Sequence, residues 1–182
     1  MNFDEKYSEL MRNVLFERQG SIVLYPGGFK PPHKGHFEAL KYLQSKFDGQ
    51  LGVIFIGAPE REGVTAQHSQ KIWEIYGNYL EFPIETEISP ISPVKSVYDY
   101  ADEHKNEMII VGAGEEDMAR YNYFNKNKET YPNVVVSPVP PQFGRISGTA
   151  TRQNLSDTSW IPDQAMERAD EILSILGANG LN

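Results

Sequence analysis

Short apolar runs alternate with amphipathic, helix-like stretches along this chain of 182 residues. Continuous runs such as VIFI, MIIV and VVV are typical of strands that lie under helices on both faces of a sheet. Five runs predict strands: Ile22–Tyr25, Leu51–Ile56, Ile84–Ile88, Met108–Val111 and Val134–Val136. Because strands and helices alternate, the sequence predicts an α/β fold with a doubly wound parallel sheet of about five strands.

Cap residues predict where several helices begin and end. Thr65 and the pair Ser92-Pro93 each stand before a helix-like stretch, as a polar N-cap and an early proline should. Amphipathic helices are also predicted from Phe3 to Arg18 and, after Pro162, from Ile161 to Leu176, where Gly177 can end the second. We therefore expect a single domain: an N-terminal helix over 1–20, a core over 21–155 and a C-terminal helix over 156–182.

Composition narrows the classes of protein and partner. With 40% hydrophobic residues the chain is long enough to bury one core. It has no run of about 18 apolar residues and residues 1–20 lack the apolar centre of a signal peptide, so a cytoplasmic protein without membrane contacts is expected. The absence of cysteine excludes disulfides and thiolate metal sites. The net charge of -8 argues against a nucleic acid partner, whereas small phosphorylated ligands need only a few well-placed donors.

The segment YPGGFKPPHKGH, Tyr25 to His36, joins the first predicted strand to a helix. Ligands of parallel sheets bind at such turns, where backbone N–H groups and a helix N-terminus face an anion. Gly27 and Gly28 permit close backbone approach or positive φ, and the following helix is expected to begin between His33 and Gly35. The segment therefore predicts a phosphate site.

His33 and His36 are spaced to lie on one helical face, with Gly35 between them leaving room for a ligand. Each imidazole can donate to a phosphate oxygen whether charged or neutral, and a protonated one would oppose charge in a phosphoryl-transfer transition state. Lys30 is a third candidate donor. Two alternatives remain open: one histidine caps the helix while the other lies on the surface, or the pair binds a metal. The loop lacks Asp and Glu, so we assign no metal ligand.

This segment resembles the signature of the HxGH nucleotidyltransferases, the cytidylyltransferase-like superfamily of phosphopantetheine, nicotinamide-mononucleotide and glycerol-phosphate nucleotidyltransferases. The resemblance implies a Rossmann-like core in which His33 and His36 contact the nucleotide phosphates and Gly35 lets the nucleotide pack against the helix. It also places Gly27, Gly28 and Phe29 among the nucleotide-binding residues. The chain departs from the family at Gly28, where relatives often carry Ser or Thr, and at Lys30, where Asp or Asn is common.

A second segment, ISGTATR from Ile146 to Arg152, resembles the ISSTxxR element of the same family. It follows the proline-rich stretch from Ser137 to Arg145, which is the best candidate for a long loop. The resemblance implies that Ile146, Ser147, Thr149 and Arg152 help to bind the β and γ phosphates. Ser147 and Thr149 are expected to cap the next helix. The alternative is an ordinary N-capped helix with an exposed arginine.

The third segment, IIVGAGEED, ends a predicted strand in glycines and acidic residues. In related enzymes the equivalent turn packs against base and ribose, so Gly112 and Gly114 are expected to give backbone access and Asp117 to accept from a ribose hydroxyl. Acidic residues in a first helical turn also suit the helix dipole. Arg120 is expected either to reach the phosphates or to pair with Glu116.

Several other residues carry weaker expectations. Arg61 and Lys71 are candidate phosphate ligands or solvated surface charges. His68 and His104 are expected on the surface without partners, and Trp73 and Tyr76 in the core.

Together these features predict a nucleotidyltransferase that moves AMP from ATP to a small phosphorylated acceptor and releases pyrophosphate, with Mg²⁺ bound to the triphosphate. Cytidylyl transfer from CTP to a polyol or sugar phosphate is the alternative enzyme, and a non-catalytic nucleotide sensor is the alternative of another class. The HxGH segment also resembles the HIGH motif of class I aminoacyl-tRNA synthetases, but the chain is too short and too acidic for tRNA binding. A homo-oligomer is compatible with the sequence.

Overall fold

A computed structural model describes residues 2–143 and 146–178, with the side chains of residues 12–19 excepted. Its five strands are β1 Ser21–Gly27, β2 Gly49–Ile56, β3 Ile84–Ile88, β4 Ile109–Ala113 and β5 Val134–Pro138. They form one parallel sheet in the order β3-β2-β1-β4-β5. The predicted fold and all five predicted strands are confirmed.

Helices connect the strands and extend the chain at both ends. The α-helices are α1 Phe3–Gln19, α2 Lys34–Phe47, α3 Ala66–Gly77, α4 Pro93–Glu103, α5 Asn122–Lys126, α6 Gly148–Gln153 and α7 Ala169–Ile175. Segments of 3₁₀-helix span Glu115–Tyr121, Thr158–Trp160 and Asp163–Arg168. As predicted, Thr65 and Ser92 are the N-caps of α3 and α4, and their side chains accept from His68 N and Lys95 N.

The sheet buries a separate hydrophobic cluster on each face. In β2 the side chains alternate, so that Ile54 and Ile56 belong to one cluster and Val53 and Phe55 to the other. The first cluster packs under α2, α3 and α7, and the second packs under α4 and α5. Covering both faces explains why the strands read as continuous apolar runs.

The C-terminal segment packs onto the core, a point that the sequence left open. Ile161, Ala165 and Ile172 are fully buried in the same cluster as α2 and α3. The single helix predicted from Ile161 to Leu176 is wrong in detail, because a 3₁₀ segment precedes α7, and Gly177 follows with φ 68°.

The N-terminal helix exposes apolar side chains, with Phe3, Tyr7 and Leu10 all more than half exposed. The predicted long loop begins later than expected, since Ser137 and Pro138 complete β5. Its residues 144 and 145 lie outside the described part of the chain. Among the described residues, no helix is both long and apolar enough to cross a membrane.

The strand order singles out the gap between β1 and β4. From β1 the chain moves through α2 to β2 on one side, whereas β4 and β5 lie on the other side of β1. Between β1 and β4 the direction of winding reverses, and ligands of open parallel sheets bind at the carboxyl ends of strands flanking such a point. The segment after β1 and the turn after β4 therefore meet there.

Candidate active site

His33 and His36 cap the N-terminus of α2 and each other. Nδ1 of His33 accepts hydrogen bonds from Gly35 N at 3.1 Å and His36 N at 3.4 Å, and Nδ1 of His36 accepts from His33 N at 3.1 Å. The two rings stack with centroids 3.7 Å apart. The helix begins where the sequence predicted, and the capping role that was an alternative for one histidine belongs to both.

These capping bonds fix which ring nitrogen carries the proton. Since Nδ1 of each ring accepts from a backbone N–H, the proton of the neutral imidazole must be on Nε2. Nε2 lies on the opposite side of the ring, so each histidine combines a cap with a hydrogen-bond donor. Capping and phosphate binding are therefore compatible roles for the same side chain.

Burial keeps both imidazoles neutral. Desolvation lowers the pKa of His33 to about 4, partly offset by hydrogen bonding to the backbone of His33 and Ile146. Desolvation, followed by the nearby His33, holds the pKa of His36 well below its usual value. The two side chains would thus act as neutral donors at pH 7, and the option of a protonated histidine is not favoured.

Ring packing requires two of the three loop glycines, Gly27 and Gly35, and all three line the cavities. A Cβ on Gly35 would lie 2.9 Å from Cε1 of His33, and one on Gly27 would lie 2.7 Å from Cζ of Phe29. No described atom lies within 4 Å of that position at Gly28, so a side chain would have room there. Of the two properties that glycine permits, close approach and positive φ, neither Gly27 nor Gly28 uses positive φ, whereas Phe29 has φ 54°. The ring of Phe29 packs edge-on against His36 with centroids 4.9 Å apart.

Lys30 is buried and held by backbone carbonyls. Its Nζ donates to the carbonyl of Gly28 and, at 2.7 Å, to that of Gly57. Desolvation and the charge of Arg61 lower its pKa to about 8. Two of the three N–H donors of Lys30 therefore connect the loop to the residue that follows β2, and the third remains for a ligand.

Arg152 lies against the same loop from the other side. Its Nη1 donates to the carbonyl of Lys30 at 2.8 Å, and Nη2 to Thr149 Oγ1 at 3.2 Å and Glu62 Oε1 at 3.4 Å. Its Nε is buried without a partner among the described residues. The exposed-arginine alternative is wrong, since the side chain is only 10% exposed.

The cap of α6 corrects one expectation. Ser147 is the N-cap, and its Oγ accepts from Ala150 N at 3.2 Å. Thr149 lies inside the helix and accepts from Arg152, so it orients the arginine and does not cap α6.

The turn after β4 supplies part of the site. Gly114 lies in the wall between two cavities, whereas Gly112 faces α2, where a Cβ would lie 2.2 Å from Leu43 Cδ1. Backbone access at Gly112 is thus a wrong expectation, because helix packing requires that glycine. Asp117 lines a cavity and pairs with Arg120 at 3.3 Å, in place of the expected pair with Glu116.

Three cavities meet at the side chain of His36. The first, of about 220 Å³, has both apolar walls, such as Ala39 and Val139, and polar ones, such as His33 and Glu116. The second, of about 490 Å³, is lined by Lys30, Arg61, Arg120, Glu116 and the start of α4. The third, of about 250 Å³, contains Lys30, His33, Arg61 and Arg152. Three cations and two neutral imidazoles therefore surround the last cavity, which suits an anion.

Other candidates fall outside this junction. Lys71 lines a groove with Arg168 and Glu171 beside α7, away from the three cavities, whereas Arg61 borders two of them. Trp73 and Tyr76 are fully buried, as predicted.

Two histidines that were expected without partners have them. His68 Nδ1 accepts from Thr65 N at 3.1 Å, and His104 Nδ1 lies 2.8 Å from Tyr100 O. Sequence reasoning also missed Glu62, whose position next to Arg152 has no local signal, because 90 residues separate the two.

The fold has counterparts among solved structures. A protein described as a nicotinate-nucleotide adenylyltransferase from Vibrio parahaemolyticus matches with a TM-score of 0.60 at 17% identity, over 83% of this chain and 99% of that one. The nicotinic acid mononucleotide adenylyltransferase of Plasmodium falciparum, complexed with APC, gives 0.62 at 12%, over 88% and 99%. A bifunctional NMN adenylyltransferase/ADP ribose pyrophosphatase from Francisella tularensis gives 0.51 at 14%, over 87% and 52%.

No protein-family model and no curated protein matches the sequence. At identities this low the three structures establish the fold. It is the Rossmann-like fold that the two sequence motifs implied.

Proposed function

We propose that this chain is a nucleotidyltransferase that transfers AMP from ATP to a small phosphorylated acceptor and releases pyrophosphate. The observation that carries the proposal is the junction at His36, a residue that lines three cavities of different character. Such a junction suits a reaction in which two anionic substrates meet and a third anion leaves.

The proposed reaction needs no covalent enzyme intermediate. A phosphate oxygen of the acceptor attacks the α-phosphorus in line, a new P–O bond forms, and the bond from the α-phosphorus to the bridging oxygen breaks with pyrophosphate as leaving group. Negative charge builds on the oxygens around the α-phosphorus and on the leaving group. The Nε2–H of His36 would stabilise that charge, and the Nε2–H of His33 would join it on leaving the backbone of Ile146.

Each cavity suits one part of the substrates. The apolar walls of the 220 Å³ cavity suit a base and its ribose. The 250 Å³ cavity, with Arg152 and Arg61, suits the β and γ phosphates that become pyrophosphate. The 490 Å³ cavity, with Lys30, Arg61 and Arg120 along its walls, suits the acceptor and its phosphate.

Magnesium would reach this site as part of the substrate Mg·ATP. Among the described residues, no group of three or more His, Asp or Glu side chains lies together to hold an ion. Glu116 and Asp117 line the acceptor cavity, and Mg²⁺ on a triphosphate commonly uses one or two carboxylates besides phosphate oxygens. The residues present are therefore compatible with an ion that arrives on the nucleotide.

The choice of ATP rests on the names of the structural neighbours, which are adenylyltransferases. Those names also make a pyridine mononucleotide the first acceptor to test. The lining of the 220 Å³ cavity does not by itself distinguish adenine from cytosine, so CTP belongs in the same assay.

Pyrophosphate release tests the proposal. The protein is incubated with Mg²⁺ and ATP, CTP, GTP or UTP, each against a panel of pyridine mononucleotides, phosphopantetheine and polyol phosphates. We expect release with ATP that requires one acceptor. Tight nucleotide binding without release for any acceptor would instead favour the nucleotide sensor.

A further inference from the structure

Two fully buried side chains of helix α3 hydrogen-bond to the loop between β1 and α2. The hydroxyl of Tyr76 donates to the carbonyl of Pro32 at 2.9 Å. The hydroxyl of Ser69 donates to the carbonyl of Phe29. It also lies 3.2 Å from the carbonyl of Thr65, the N-cap of the same helix. The two anchored carbonyls flank Lys30 and Pro31.

These anchors belong to an unusual pattern in the loop. The carbonyls of Gly28, Phe29, Lys30 and Pro32 each accept a side-chain hydrogen bond, from Lys30, Ser69, Arg152 and Tyr76 respectively. Pro31 and Pro32 have no N–H, so they cannot join a backbone ladder. Side chains therefore set the position of the loop: Lys30 from the loop itself, Arg152 from α6, and Ser69 and Tyr76 from α3.

The anchored loop residues connect directly to the two histidines. The ring of Phe29 lies edge-on between His36, at 4.9 Å, and Trp73 of α3, at 5.3 Å. Pro32 immediately precedes His33, the N-cap of α2. A shift of either anchored carbonyl would move one imidazole relative to the junction of the cavities.

We propose that Ser69 and Tyr76 are positioning residues, through which α3 fixes the loop that presents Lys30, His33 and His36 to the substrates. This inference rests on the proposed function. It differs from an ordinary packing role in what it predicts. A packing role changes only the stability of the fold, whereas a positioning role also changes turnover in protein that is fully folded.

Tyr76→Phe and Ser69→Ala each remove one anchoring hydroxyl and leave the remaining side chain in place. Two variants serve as matched controls on other parts of the fold. Tyr131→Phe removes a partly buried hydroxyl that donates to Asp102 at 2.6 Å. Ser21→Ala removes a partly buried hydroxyl that donates to the carbonyl of Phe47 at 2.8 Å, at the opposite end of β1.

The test measures kcat with saturating nucleotide and acceptor, together with Tm, for all four variants. We expect kcat to fall about tenfold or more in Tyr76→Phe and in Ser69→Ala, because a misplacement of about 1 Å costs up to about a hundredfold. The controls should keep kcat within about twofold of the parent, while their Tm falls by about as much as in the α3 variants. Unchanged kcat in both α3 variants would overturn the proposal, and if one variant does not fold, the other decides.

Calorimetry separates this inference from the proposed function. If the parent protein shows no turnover, the Kd for Mg·ATP is measured in the same variants. A Kd that rises about tenfold in the α3 variants and not in the controls supports the positioning role without any catalysis. A Kd equal to that of the parent in both α3 variants would overturn it.

Discussion

Replacing His36 with asparagine separates its two roles, the cap and the donor. The side chain accepts from His33 N through Nδ1, its proton is on Nε2, and His36 lines the three cavities. Asparagine places an acceptor oxygen close to the Nδ1 position and has nothing that reaches the Nε2 position. His36→Asn should therefore preserve the start of α2 and remove the donor, whereas His36→Ala removes both.

The two losses have different magnitudes. One capping hydrogen bond contributes about 1 kcal/mol to stability, which lowers Tm by about 2–4 °C in a domain of this size. A donor that stabilises transition-state charge contributes about 3 kcal/mol, or roughly a hundredfold or more in kcat. His36→Asn should keep Tm close to that of the parent and still lose kcat, and His36→Ala should lose both.

The chain offers a control for the cap. At the start of α3, His68 Nδ1 accepts from Thr65 N at 3.1 Å, the same arrangement away from the three cavities. His68→Ala should lower Tm about as much as His36→Ala and leave kcat unchanged. The assay is steady-state pyrophosphate release with thermal unfolding on the same samples. A His36→Asn enzyme with the kcat of the parent would refute the donor role.

Three further predictions concern neighbouring residues. Gly35→Ala places a Cβ 2.9 Å from the ring of His33 and should lower kcat/KM at least tenfold. Gly28→Ala places a Cβ where no described atom lies within 4 Å, so it should be tolerated. Equal kcat/KM for the two variants would contradict the packing argument. Because the pKa of Lys30 is about 8, the side chain loses its charge as pH rises through 8, and kcat/KM should fall there. Because the histidines are already neutral, activity should not change between pH 6 and 7.5. A kcat/KM that stays constant above pH 8 would exclude Lys30 as a charged donor. Arg152→Lys loses the planar donor set and should raise KM for the nucleotide and Ki for pyrophosphate about tenfold, while Arg168→Lys at an exposed ion pair should change neither.

Local sequence signals predicted most of the fold. The apolar runs located five strands because each strand is covered on both faces, and the caps at Thr65 and Ser92 lie where a polar side chain meets free N–H groups. The C-terminal helix was predicted less well. Its periodicity persists through Asp163–Arg168, but that part is 3₁₀-helix, which buries Ala165.

The site was predictable where one short segment carries it and less so where distant residues meet. The loop and both histidines follow from Tyr25 to His36 alone. Gly112 was misread because a glycine in a strand can serve a ligand or a helix, and only the position of Leu43 decides between them. The contacts of Arg152 with Glu62 and of Tyr76 with Pro32 join segments far apart in sequence, so no local sequence pattern predicts them.

The central claim is that the α-phosphorus of ATP is transferred to the acceptor. Two parallel reactions with the same acceptor, one with [α-³²P]ATP and one with [γ-³²P]ATP, test it most directly. The account predicts that the α label appears in a new conjugate with the acceptor and the γ label in pyrophosphate. A γ label on the acceptor, or an α label found only in AMP or ADP, would contradict it.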